Sequence, residues 1–139
     1  MFAPTTQPTP LGIGSIKSTL ISLEQSVYDY SIFCDRLKTA TTTAEDNYDE
    51  MHTEIIESEN KIEETIMLLE DAIQRQIKQA NSGASNSVLA LSQAQSNSDK
   101  LSNIKSDYQA YKRRISEQWE RIELFSGRTR YLKKYKYNI

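Results

Sequence analysis

Apolar residues recur in alternating steps of three and four along the first half of this chain: Ile13, Ile16, Leu20, Leu23, Val27, Tyr30, Cys34, Leu37, Thr41, Ala44, Tyr48, Met51 and Ile55. That spacing holds one face of an α-helix against another helix. A stripe of this length requires a partner, and it confines the chain to architectures in which long helices lie side by side. The expected fold class is therefore all-α.

Composition agrees with an elongated helical protein. Hydrophobic residues make up 37% of the 139, charged residues 26%, and the mean hydropathy is -0.64, too polar for a thick globular core. All three prolines and two of the four glycines fall within residues 1–14, so the body of the chain carries few helix breakers. Pro4, Pro8 and Pro10 predict an extended arm over 1–12, with Phe2 as its anchor.

Ser15 is a candidate N-cap for a first helix beginning near residue 14. The threonines at 41, 42 and 43 have below-average helix propensity, yet the heptad phase runs through Leu37, Thr41, Ala44 and Tyr48 without a skip. That phase favours one helix over about 14–80; the alternative is a three-helix bundle with a break near 40–43. Beyond Ile55 the seam passes through Ser58, Ile62, Ile66, Leu69 and Ile73, where two successive steps of four mark a stutter.

The polar run 81–87, in which Gly83 can take the left-handed conformation that ends a helix, predicts a turn. A last helix follows over about 87–125, with Val88, Leu91, Ala94, Ser98, Leu101, Ile104, Tyr108, Tyr111, Ile115, Trp119, Ile122 and Phe125 on its seam. Helices 14–80 and 87–125 should form a long antiparallel hairpin, a coiled-coil-like domain spanning 13–125. Residues 126–139 form a basic and aromatic tail. In this arrangement the first half of the stripe has no partner within the chain. Ile13, Ile16, Leu20, Leu23, Val27, Tyr30 and Leu37 are accordingly the predicted interface seam, and Tyr108, Tyr111, Trp119, Ile122 and Phe125 the predicted aromatic anchor.

The formal charge of -2 hides a marked asymmetry. Residues 44–80 hold eleven acids and three bases, whereas 126–139 hold five bases and no acid. Arg128, Arg130, Lys133, Lys134 and Lys136, interleaved with Tyr131, Tyr135 and Tyr137, are candidates for docking an acidic protein face, single-stranded nucleic acid or an anionic surface. Protein docking is the preferred reading and nucleic acid the weaker one.

No catalytic constellation accompanies these features. His52 is the sole histidine, which excludes the paired Glu-x-x-His motifs of a di-metal bundle, and its charged neighbours predict a solvated side chain. Cys34, the sole cysteine, lies on the seam as a small apolar side chain, about 27 Å from His52 along a continuous helix. There is no Gly-rich phosphate loop, no G-x-S-x-G and no CxxC. No cofactor and no metal are expected.

There is neither an 18-residue apolar run nor the pattern of a secretory signal, so the expectation is a soluble protein within a larger assembly, cytoplasmic or in a virion. The expected function is a non-enzymatic structural or assembly subunit. It would work as a homo-oligomer or in a multi-subunit complex such as a virion, phage, secretion apparatus or filament, an analogy from shape. The alternatives are a nucleic-acid or anionic-surface binder using the tail, and a compact three-helix adaptor or chaperone-like protein.

Overall fold

The computed structural model describes residues 13–40, 48–82 and 87–126, with side chains over 15–39, 48–82 and 88–122. All regular structure among the described residues is helical: α1 (Ile13–Ala40), α2 (Tyr48–Asn81) and α3 (Ser87–Ser126). The expected arm at 1–12, the threonine run itself and the expected tail 126–139 lie outside the described residues, apart from Ser126, which is the last residue of α3.

The expected helix over 14–80 is two helices. Tyr30 of α1 donates its hydroxyl to Glu59 of α2, and Arg36 pairs with Glu54 at 3.7 Å. In one straight helix residues 30 and 59 would stand about 43 Å apart, so α1 and α2 instead lie side by side and antiparallel. Ser15 falls inside the first turn of α1, two residues past its start, and is not its cap.

Asp49 and Glu50 occupy the first turn of α2 and Lys78 its last, each sign suited to the helix macrodipole. The last turn closes through Ser82, whose backbone N–H and hydroxyl both donate to the carbonyl of Gln79, at 3.3 and 2.7 Å. α3 returns antiparallel to α2, as the sequence predicts. Lys112 meets Glu63, Lys105 meets Glu70, and Asn97 meets Gln76. α3 runs parallel to α1, with Tyr30 beside Tyr108 and Cys34 beside Tyr111.

The three helices form a helical bundle around one apolar cluster to which all of them contribute. α1 supplies Ile16, Leu20, Leu23, Val27, Tyr30 and Leu37, spaced as the stripe requires. On α2 the buried line runs Met51, Ile55, Glu59, Ile62, Ile66, Leu69 and Ile73. Glu59 stands where the sequence places Ser58, so the paired steps of four fall at 51–55–59. The carboxylate turns inward because Tyr30 offers it a donor.

On α3 the seam is buried at Ala94, Leu101, Ile104, Tyr108, Ile115, Trp119 and Ile122 and half-buried at Ser98 and Tyr111, but Val88 and Leu91 are exposed, contrary to the sequence reading. The register explains this. Tyr30 is level with Tyr108, so the first residue of α1 is level with residue 91, and Val88 has no α1 beside it.

Candidate interaction surfaces

The predicted seam is already occupied. Ile16, Leu20, Leu23, Val27, Tyr30 and Leu37 are 0–4% exposed, packed in the cluster shared with α2 and α3; the side chain of Ile13 lies outside the described residues. The predicted aromatic anchor is likewise interior. Tyr108, Trp119 and Ile122 are buried and Tyr111 is half-buried, while the side chain of Phe125 and all the predicted docking residues from Arg128 to Tyr137 lie outside the described residues.

His52 is buried, not solvated. Its ring meets Trp119 edge-on at 5.3 Å, so the pair packs as an aromatic contact between α2 and α3. Among the described residues no group of three or more His, Cys, Asp or Glu is placed to hold a metal ion.

Cys34 is half-buried, with its Sγ 3.6 Å from the carbonyl oxygen of Tyr111. Burial pushes its thiol above the usual value of 9.0, a shift that the positive charge of Arg114 opposes. A raised thiol is a poor nucleophile at neutral pH.

A line of polar contacts accompanies the apolar core. Tyr108 and Lys112 both donate to Glu63, the lysine at 2.6 Å and also 5.7 Å from the tyrosine ring centre. Lys105 pairs with Glu70 at 2.6 Å, and Asn97 donates to Gln76 at 3.2 Å. Each contact fits a single alignment of the helices, so the line fixes register as well as adding attraction. Beside it, Glu70, Gln74, Ser98, Ser102 and Lys105 help to line an open cleft of about 500 Å³ between α2 and α3.

The outer face of α1 is different. Ile21, Tyr28 and Ile32 are 58%, 62% and 43% exposed. At 100° per residue they fall within about 40° of arc, centred about 150° from the middle of the buried seam. α1 therefore has two apolar faces, and the second escaped the sequence analysis. Its signal was present, since positions separated by seven and then four residues share a helix face, but it was masked by the stronger inward stripe. Met67, Val88 and Leu89 are also exposed, on other elements.

No protein-family model, no curated protein and no solved structure matches the chain.

Proposed function

We propose that this chain is a non-enzymatic assembly module: a compact three-helix bundle that docks to protein through the outer face of α1. One observation carries the reading. Ile21, Tyr28 and Ile32 are exposed apolar residues aligned on one face of a helix whose other side is already committed to the core. Scattered exposed apolar residues are ordinary, but a stripe at helical spacing suits a helix-to-helix contact.

The first half of the heptad stripe thus keeps its role in assembly indirectly. The seam builds the bundle, and the bundle presents the reverse side of the same helix. The five bases and three tyrosines of 126–139 favour a second reading, in which the tail meets an anionic surface or single-stranded nucleic acid.

Gel filtration of an extract from the source cells tests the docking reading. The wild-type chain should elute well above its own 16.0 kDa. A variant carrying Ile21→Ser, Tyr28→Ser and Ile32→Ser should elute as a monomer with unchanged helical circular dichroism. Elution of the wild type at monomer mass, or assembly indifferent to the triple substitution, would overturn it.

A further inference from the structure

Resting on the docking reading, we infer that the outer face of α1 is covered by α1 of a second copy, laid antiparallel so that Ile21 meets the partner's Ile32 and Lys17 meets the partner's Asp35.

The arrangement of the face about its midpoint argues for this occupant. Ile21 and Ile32 are symmetric about position 26.5, which is also the midpoint of α1 over Ile13–Ala40. A two-fold axis at that point brings the isoleucines together and overlaps the two helices along their full length. The same axis sets Tyr28 against the partner's Gln25, which its own Asp29 holds through a 3.0 Å hydrogen bond.

Charge follows the same symmetry. Lys17 and Asp35 are 18 residues apart, five full turns, so both lie on one edge of the apolar face. In an antiparallel pair related by a two-fold axis, like edges meet. Each lysine therefore faces the partner's aspartate at both ends of the contact, whereas in a parallel pair opposite edges meet and lysine and aspartate no longer face each other.

The helix itself does not account for that placement. Lys17 lies in the second turn of α1 and Asp35 in its penultimate turn, each the less favourable sign for that end of the macrodipole. Exchanging the two charges therefore leaves the helix no worse off, which makes the exchange a clean probe of the contact.

Analytical ultracentrifugation of the purified full-length chain is the test. A species of 2 × 16.0 = 32.0 kDa should form as concentration rises. Ile21→Ser and Ile32→Ser should each weaken it by roughly tenfold or more. Lys17→Glu and Asp35→Lys should each weaken it about threefold at low salt, and the double exchange Lys17→Glu with Asp35→Lys should restore wild-type affinity.

A purified chain that stays monomeric up to about millimolar concentration, where even a weak contact would register, overturns the inference. So does a dimer indifferent to Ile21→Ser, or a double exchange no tighter than the single ones. If the purified chain is monomeric while assembly in extract still depends on the three apolar residues, the second copy is excluded and the docking reading stands. The reverse result, a dimer in pure solution alongside monomer mass in extract, removes the docking role in the cell and leaves the contact.

Discussion

At the scale of single residues, the contact between Tyr30 and Glu59 ties α1 to α2 inside the bundle. Both side chains are buried, at 0% and 4% exposure, and the hydroxyl of Tyr30 donates to the carboxylate. A carboxylate held away from water is costly unless donors surround it. Tyr30→Phe keeps the ring and removes the donor, so it should lower unfolding stability by about 1–3 kcal/mol. Urea denaturation reads the loss. With Glu59→Gln added, the double variant should lose less than the sum of the two single losses, because the substitutions disrupt one contact. A Tyr30→Phe protein within about 0.5 kcal/mol of wild type would deny the hydroxyl that role. The sequence shows Tyr30 on the seam but not its partner. Ser58 and Glu59 are adjacent, and apolar periodicity cannot reveal that a buried hydroxyl turns the charged one inward.

At the scale of the helix, the same periodicity explains both what was legible and what was not. The end of α2 and both limits of α3 lie close to expectation because the apolar steps are regular there and 81–87 is strongly polar. The join between α1 and α2 was hidden by an arithmetic coincidence: α1 ends at Ala40 and α2 begins at Tyr48, leaving seven residues between them, one full heptad. A heptad count registers residue number and not helical continuity, so the phase passes through 41–47 intact although the direction of the chain reverses. The outward face of α1 was illegible for a related reason, since a second stripe on the same helix dilutes the contrast on which amphipathicity depends. The contacts that align α2 with α3 are unequal, and burial ranks them. The Lys112 side chain is 14% exposed where it meets Glu63, whereas Lys105 is 37% exposed where it meets Glu70. Lys112→Ala should therefore cost about 1–3 kcal/mol, through a charged hydrogen bond and contact with the Tyr108 ring. Lys105→Ala should cost less than about 1 kcal/mol, as a solvent-screened pair does. Thermal melts of the two variants check the order, and equal shifts would refute the ranking.

For the whole molecule, the decisive quantity is the distance between the two ends of the long stripe. Partners such as Tyr30 and Glu59, or Arg36 and Glu54, have residue numbers that sum to about 89, which sets Ser18 of α1 level with Asp71 of α2. Both side chains are exposed, so they can carry spin labels without disturbing the core. In the bundle, helix axes about 8–10 Å apart place labels at Ser18→Cys and Asp71→Cys, in a Cys34→Ser background, roughly 15–30 Å apart. One straight helix would separate the same positions by about 80 Å. Dilution with unlabelled protein removes distances between copies, so the antiparallel contact does not disturb the result. A single short distance distribution from pulsed dipolar spectroscopy is the expected outcome, and it would tie the inward seam to the chain's own core while leaving the outer face of α1 for assembly. A distribution centred near the long value would return that seam to a separate partner and remove the basis for treating the outer face as the docking surface.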